Sequence, residues 1–267
     1  MSDLIYTLNN ISYRYFNGIL GLNNVSADIC EGEKIVVLGA NGSGKTTFLK
    51  LLDGLIFPSS GSISAFGKEL SENIFNNDNF NLFFRKKVAF LFQDSDVQLF
   101  SPTVADEIAY GPIQLELTTI EVEKRVEDIL HMLHIEALKD RYTYELSYGE
   151  KKKVAIASIL SSNPDVLLLD EPTAGLDPRS TREVIDFITA SSQIGKTVVT
   201  ATQDIHIVPE IADKVLVLNE EKELVTAGKA ENILSDMDLL SSNNLIHIHK
   251  HLHDGIWHVH PHQHYKK

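Results

Sequence analysis

The feature that most constrains the fold of this chain is the octapeptide GANGSGKT, which runs from residue 39 to residue 46. It fits the pattern GxxxxGK[ST] and lies between an apolar run, KIVVLGA, and a helical pattern, TTFLKLLDGL. Glycines in such a loop let backbone N–H groups surround a phosphate chain at a helix N-terminus, and the lysine reaches the β and γ phosphates. The octapeptide therefore predicts a nucleotide-binding loop within a strand–loop–helix unit.

Two motifs together predict the nucleotide chemistry. The nucleotide is expected to contact the loop and the start of the following helix, at Gly39, Asn41, Gly42, Ser43, Gly44, Lys45, Thr46 and Thr47. The Thr46 hydroxyl is expected to ligate Mg²⁺. A second motif, VLLLDEP, supplies Asp170 for the Mg²⁺ shell and Glu171 as the base for an attacking water. The motifs indicate a nucleotide hydrolase that uses Mg²⁺.

Short apolar runs rich in Val, Ile and Leu recur along the chain, at 34–40, 166–172, 196–202 and 214–219. Uniformly apolar runs are typical of strands that are buried on both faces of a parallel sheet. Helical patterns lie between them, notably TTIEVEKRVEDILHMLHI and GEKKKVAIASILSS. The predicted class is therefore α/β, with the core sheet of a P-loop NTPase of the RecA-like type.

Composition restricts the partners and the environment. The net charge of −13 would repel a phosphate backbone, so no nucleic-acid partner is expected. The single cysteine, Cys30, cannot form an intramolecular disulfide, and the N-terminal sequence MSDLIYTLNN lacks the pattern of a secretory signal. No apolar run approaches the roughly 20 residues that span a bilayer, so another chain is expected to supply any membrane span.

The sequence LSYGE at 146–150 resembles the signature motif of ABC ATPases, which is usually LSGGQ. The order of further motifs agrees, since Gln93 resembles the glutamine of the Q-loop and AGLD, which ends at Asp177, resembles the D-loop. Tyr15 resembles the aromatic residue that stacks on adenine. The resemblance covers residues 4–230. It implies that two ATP-binding subunits, identical or paralogous, pair head to tail, so that each ATP lies between one subunit's phosphate loop and the other's signature.

The resemblance also implies roles for individual residues. Ser147 and Gly149 would contact nucleotide, Asp177 would act in the D-loop, and Gln93 would belong to both the catalytic set and the Mg²⁺ shell. Ser147 and Glu150 have the spacing of an S-x-x-E capping box, which in isolation would be equally consistent with a helix cap alone.

Three positions depart from the family pattern. Tyr148 replaces a glycine of the signature, and Glu150 replaces its glutamine. Gln203 stands where the family usually has a histidine that contacts the γ-phosphate, and it is assigned to the catalytic set. A glutamine amide can donate a hydrogen bond but cannot become cationic near neutral pH, so slow hydrolysis is expected.

The resemblance divides the chain into three parts. An ABC ATP-binding domain is expected over residues 1–230, with a helical signature insert at about 96–162. A linker is expected over 231–246 and a histidine-rich tail over 247–267. Within the first part, the polar segment SENIFNNDNFN at 71–81 is expected to be a loop.

Residues 92–112, FQDSDVQLFSPTVADEIAYGP, resemble a segment in the ATPases of energy-coupling-factor importers, which carry vitamins or transition-metal ions. In that family the segment lies at the groove for coupling helices of the membrane partner. Val97, Leu99, Phe100 and Val104 suit this role, although core packing of the helical insert would also explain them. The resemblance implies a peripheral protein on the cytoplasmic face of the cell membrane, with integral membrane coupling and substrate-binding subunits as partners. A vitamin importer and a soluble, non-transport ABC ATPase are the alternatives.

Eight of the eleven histidines lie in the tail, at His247, His249, His251, His253, His258, His260, His262 and His264. They occupy every second position within two sets, which Asp254-Gly255 separates. Alternation around Asp-Gly predicts a β-hairpin in which His251 lies opposite His258. We expect the tail to bind Ni²⁺ or Co²⁺, because the cobalt and nickel importers best explain it. A disordered tail that chelates metal loosely is the alternative.

Overall fold

The computed structural model describes residues 3–253 and 256–262 of the chain. The strands in these residues are β1 (Leu4–Arg14), β2 (Leu20–Cys30), β3 (Lys34–Leu38), β4 (Ser60–Ala65), β5 (Lys68–Glu69), β6 (Val88–Leu91), β7 (Val166–Asp170), β8 (Thr197–Thr202), β9 (Lys214–Leu218), β10 (Leu224–Lys229), β11 (His247–His253) and β12 (Ile256–His262). The α-helices are α1 (Lys45–Leu52), α2 (Glu72–Phe75), α3 (Asp78–Lys87), α4 (Ser95–Gln98), α5 (Val104–Gln114), α6 (Thr119–Met132), α7 (Tyr148–Ser161), α8 (Pro178–Gln193), α9 (Val208–Ile211), α10 (Ala230–Ser235) and α11 (Met237–Ser242).

The central sheet has the strand order β10-β9-β3-β8-β7-β6. Strands β9, β3, β8, β7 and β6 are parallel, and β10 joins the edge in the antiparallel direction. The apolar runs predicted to be buried strands are β3, β7, β8 and β9, and every residue of β7 and β8 is buried. The predicted α/β class with a P-loop NTPase core is therefore confirmed.

A second sheet, with the order β2-β1-β4-β5, is antiparallel. Its apolar side chains form one hydrophobic core with Phe48, Leu49 and Leu52 of α1. The sheet therefore packs over the helix that follows the phosphate loop, and the turn between β1 and β2 lies beside that loop. The sequence patterns considered above did not predict this sheet, because its strands mix buried and exposed residues.

Helices α4 to α7 occupy residues 95–161, between β6 and β7 of the central sheet. The predicted helical insert is therefore present. Within it, an isolated β-bridge joins Thr103 to Tyr142. Val154, Ala155 and Ala157 of α7 are buried in the core that this insert shares with the central sheet. Within the described residues, no helix has both the length and the apolar character needed to cross a bilayer.

The loop predicted at 71–81 is wrong, because α2 and the start of α3 occupy this segment. The Asn77 side chain caps α3 by accepting a hydrogen bond from the Phe80 N–H at 3.0 Å. The Phe75 ring lies 5.3 Å from that of Phe80 and 5.0 Å from that of Phe84, measured between centroids. The many asparagines of this segment favoured a loop prediction, but its aromatic side chains form a cluster that packs these helices onto the sheet.

The segment 231–246, expected to be a linker, is packed against the core. It contains most of α10 and the whole of α11, and Ile233, Leu240 and Ile246 are buried in the same core as β9. Leu234, Leu239 and Leu245 also pack partly against this core, but the apolar residues are divided between two six-residue helices, which are too short to produce a clear helical periodicity in the sequence.

Strands β11 and β12 pair in the antiparallel direction after this segment. His247 lies opposite His262, His249 opposite His260, and His251 opposite His258. This is the register expected for a two-residue turn at 254–255. The turn itself and residues 263–267, which include His264, lie outside the described residues.

Candidate nucleotide-binding site

The phosphate loop connects the end of β3 at Leu38 to the start of α1 at Lys45, and two of its glycines are sterically required. A Cβ atom on Gly44, where φ is 102°, would lie 2.6 Å from the Gly21 carbonyl oxygen. A Cβ atom on Gly39 would lie 2.8 Å from the Leu218 carbonyl oxygen. The loop is therefore held against β2 and β9 by approaches that only glycine permits.

Lys45 places a buried ammonium group under this loop, with 5% of the residue exposed. Its Nζ donates to the carbonyl oxygens of Gly39 at 2.8 Å and Ala40 at 3.1 Å. It also lies 3.3 Å from Glu171 Oε1. The loop carbonyls hold the cation in position, so it can neutralise phosphate charge without reorganisation.

Thr46 and Asp170 meet beside the lysine, and the Thr46 hydroxyl donates to Asp170 Oδ2 at 2.8 Å. Asp170 Oδ1 is buried and has no hydrogen-bond partner among the described residues. Burial raises the pKa of Asp170, while the Thr46 hydrogen bond and the Lys45 charge act in the opposite direction. An unpaired carboxylate oxygen next to a hydroxyl is a donor set that suits Mg²⁺, so these residues fit the metal.

Glu171 follows the end of β7 with a left-handed backbone, at a φ of 43°. Its N–H donates to the Ala201 carbonyl oxygen at 2.9 Å, and its Oε2 accepts from the Thr202 hydroxyl at 3.2 Å. Burial raises the pKa of Glu171, and the neighbouring Lys45 ammonium limits that rise. A carboxylate held this way, with its proton affinity increased, is suited to accept a proton from water.

A cavity of about 380 Å³ lies above these groups. The residues that line it are Tyr15, Ile19, Leu20, Gly21, Asn41, Gly42, Gly44, Lys45, Thr46, Thr47, Gln93, Glu171 and Lys222. Gly39, Ser43 and Asp170 adjoin it without lining it. Ile19, Leu20, Gly21 and Lys222 were missed by the sequence reasoning. Ile19 comes from the β1–β2 turn, Leu20 and Gly21 from the start of β2, and Lys222 from the β9–β10 turn, and none of these segments carries a local motif.

Tyr15 stands at the edge of this cavity, where it is fixed by two contacts. Its hydroxyl shares a hydrogen bond of 2.8 Å with the Thr47 hydroxyl. The Tyr13 ring meets it edge-on, with 4.9 Å between ring centroids. The residue remains 37% exposed, so an aromatic surface is available to a base bound at the cavity edge.

The residues assigned to the signature and the D-loop lie away from this cavity. Ser147 caps α7, and the predicted capping box with Glu150 is confirmed. Asp177 caps α8 by accepting hydrogen bonds from the N–H groups of Arg179 and Ser180. Ser147 and Asp177 are exposed and do not line the cavity of their own chain.

Tyr148, which departs from the signature pattern, lies over the D-loop of the same chain. Its hydroxyl donates to the Ala174 carbonyl oxygen at 3.3 Å. A Cβ atom on Gly175 would approach the Tyr148 ring to 3.1 Å, so the glycine leaves room for the ring. The tyrosine is thereby accommodated by a neighbouring motif.

Gln203, assigned to the catalytic set, is exposed immediately after β8 and does not line the cavity. The structure therefore brings together Tyr15, the phosphate loop, Gln93 and Glu171, and leaves Gln203 outside that group.

Residues 22–174 match the family described as ABC transporter. The chain is 48% identical over 252 residues to a putative ABC transporter ATP-binding protein of Methanosarcina acetivorans, covering 93% of this chain and 91% of the relative. It is 40% identical over 244 residues to the nickel import ATP-binding protein NikO of Rhodobacter capsulatus, covering 90% of this chain and 95% of the relative.

Solved structures agree with these relatives. One is cbiO1 from Clostridium perfringens, part of the ABC transporter complex cbiONQ, with a TM-score of 0.76 at 36% identity, covering 91% of this chain and 95% of that one. Another is a dimeric ATP-binding cassette in a post-hydrolysis state bound to ADP and Pi. It has a TM-score of 0.76 at 27% identity, covering 85% of this chain and 99% of that one.

Proposed function

Because the chain belongs to the ABC transporter family of ATP-binding proteins, we propose that it hydrolyses ATP to drive an importer of nickel or cobalt. The observation that carries the choice of metal is the histidine-rich hairpin, in which three histidine pairs lie in register. The similarity to a nickel import protein supports the same choice. A vitamin importer with the same ATP-driven subunit remains the competing substrate class.

The proposed roles of the cavity residues follow from their contacts. Lys45 neutralises the β and γ phosphates, and the loop backbone binds the rest of the phosphate chain. Thr46, Asp170 and Gln93 would hold Mg²⁺, which would neutralise charge on the phosphate oxygens. Glu171 accepts the proton of the attacking water, and the Thr202 hydroxyl orients its carboxylate. Tyr15 supplies the surface for adenine.

A second ATP-binding subunit completes the site in this proposal. Ser147, Gly149 and Asp177 have no role in the cavity of their own chain, yet Ser147 and Asp177 are exposed at helix N-termini. They are therefore available to the nucleotide of a partner, which is either an identical chain or a paralogue. Gln203 would act only when that dimer forms, because it lies outside the cavity of the single chain.

An exposed apolar surface near Gln93 supports a membrane partner. Val97 is 74% exposed and Phe100 is 64% exposed, so both are free to contact a coupling helix. Glu107 fixes the Phe100 loop by accepting from the N–H groups of Phe100 at 3.1 Å and Ser101 at 2.8 Å. For two of the residues expected here the prediction is wrong: Leu99 is half-buried and Val104 is fully buried, because both pack into the helical core.

We place the protein at the cytoplasmic face of the membrane, bound to integral coupling and substrate-binding subunits.

The tail is proposed to bind the transported class of metal. Every second residue of an extended strand shares one face, so the alternating sequence pattern predicts that the two sets of histidines share a face of the hairpin. Their Cβ atoms are expected about 5 Å apart, which lets two imidazoles share one ion. Neutral imidazole binds Ni²⁺ and Co²⁺ well, and metal binding would stabilise a hairpin that is marginal alone.

Truncation after Ile246 is expected to abolish the binding of Ni²⁺ and Co²⁺ and to preserve ATPase activity. The cut spares Ile246, which is buried in the core, and every nucleotide motif lies before it. Calorimetry measures the metal affinity of the two chains. As a matched control, the histidines of 258–262 are moved by one position at constant composition. That chain should bind metal more weakly, and unchanged affinity would favour a tail that chelates without pairing.

The metal assignment is tested by transport. The chain is purified with its membrane partners and reconstituted in vesicles, and ATP-dependent uptake of Ni²⁺, Co²⁺ and vitamins is compared. We expect uptake of Ni²⁺ or Co²⁺ that requires Glu171. Uptake of a vitamin alone would contradict the metal assignment and leave the ATPase assignment intact.

A further inference from the structure

Lys152 is a fully buried lysine on α7, with 0% of its surface exposed. Lysine is rarely buried unless its charge is compensated. Its Nζ donates to the main-chain carbonyl oxygen of Gln93 at 2.7 Å and approaches that of Phe92 at 3.4 Å. The ammonium therefore binds the backbone of the residue whose side chain lines the nucleotide cavity.

A second side chain fastens the same backbone to the same helix. Gln98 Oε1 accepts from the Phe92 N–H at 3.1 Å, and Gln98 Nε2 donates to the Ala155 carbonyl oxygen of α7 at 3.3 Å. Residues 92–93 are thus attached to α7 by two independent contacts.

The neighbouring lysines of α7 make a different kind of contact. Lys151 pairs with Asp96 at 2.5 Å, and Lys153 pairs with Glu183 at 2.5 Å. Both are ion pairs between partly exposed side chains, and neither reaches the Gln93 backbone. Carboxylates also face Lys152, from Asp94 after β6 and Asp170 at the end of β7, and they oppose the lowering of its pKa by burial.

We propose that Lys152 is a positioning residue, which holds Gln93 against the nucleotide cavity and ties it to α7, the helix that Ser147 caps. This inference rests on the proposed roles of Gln93 and Ser147. Helix α7 then connects the nucleotide bound by its own chain with the signature that faces the partner's nucleotide. Loss of the ammonium removes the contact to the Gln93 carbonyl oxygen, so that only Gln98 still fastens the neighbouring Phe92, and it leaves the phosphate loop untouched.

The test uses the purified full chain and steady-state ATPase kinetics. Lys152→Met keeps the apolar stem and removes the donor, and it is expected to lower kcat by about tenfold with KM for ATP within about twofold. Lys152→Arg keeps a cationic donor and should recover most of kcat. Lys151→Met is the matched control, because it removes an adjacent lysine of the same helix. It should keep kcat within about twofold of the wild type.

Equal kinetics for Lys152→Met and the wild type would overturn the inference, and so would an equal loss in Lys151→Met. If Lys152→Met does not fold, Lys152→Leu, which also lacks a donor and fits an apolar surrounding, carries the same expectation. Gln93→Ala is measured in parallel. A normal kcat in Gln93→Ala would overturn the proposed role of Gln93 and this inference with it. A low kcat in Gln93→Ala with a normal kcat in Lys152→Met would overturn this inference alone.

Discussion

Glu171→Gln is expected to lower kcat for ATP by about a hundredfold or more while leaving ATP affinity nearly unchanged. Glutamine has the size of glutamate but cannot accept a proton from water. The phosphate contacts come from Lys45 and the loop, which the substitution leaves in place. ATP binding should therefore persist while hydrolysis is lost, and ATP-bound dimers should accumulate. Phosphate release measures the rate, and size-exclusion chromatography with ATP measures the dimer.

Glu123→Gln is a suitable control, because Glu123 is an exposed carboxylate of α6 that does not line the cavity. It should hydrolyse ATP at the wild-type rate. A rate for Glu171→Gln within about twofold of the wild type would remove Glu171 from the role of base.

Lys45→Ala is expected to weaken nucleotide binding by about a hundredfold or more, since it removes a charge-assisted phosphate contact from a buried position. It also leaves the Glu171 carboxylate without the cation that lies 3.3 Å away. An uncompensated buried carboxylate would repel the phosphates until it takes up a proton. Titration with a fluorescent ATP analogue measures the dissociation constant.

Lys50→Ala tests whether any lysine of α1 would have the same effect. Lys50 lies in the last turn of that helix and does not line the cavity. Its replacement should change nucleotide affinity by less than about threefold. Near-normal affinity in Lys45→Ala would show that the loop backbone alone accounts for binding.

Local motifs made part of the site predictable from the sequence. The residues from Gly39 to Thr46 are contiguous, and a strand and a helix fix their geometry on either side. Asp170 and Glu171 could be placed beside them because parallel strands end at the same edge of a sheet. The capping box of Ser147 and Glu150 is equally local, and the structure contains it.

Other parts of the site depend on contacts between distant segments, which the sequence does not encode in any short pattern. Lys222 reaches the cavity from the β9–β10 turn, and Ile19 reaches it from the β1–β2 turn. Both positions depend on how two sheets pack around α1. Lys152 is one of three consecutive lysines, which no short pattern distinguishes, and only the fold reveals that it alone of the three is fully buried.

Ile246 is buried in the core, so the histidine-rich hairpin begins at a fixed point of the ATP-binding domain. The strand His247–His253 continues from that point for seven residues, which is a length of about 23 Å. A metal ion held on the paired histidines would therefore stay within a small volume beside the ATP-binding domain. Whenever the hairpin carries an ion, the effective concentration of that ion beside the domain would be roughly in the millimolar range, whatever the concentration of free metal. If the proposed metal binding holds, the hairpin would therefore keep its ion close to the ATP-binding domain to which it is attached.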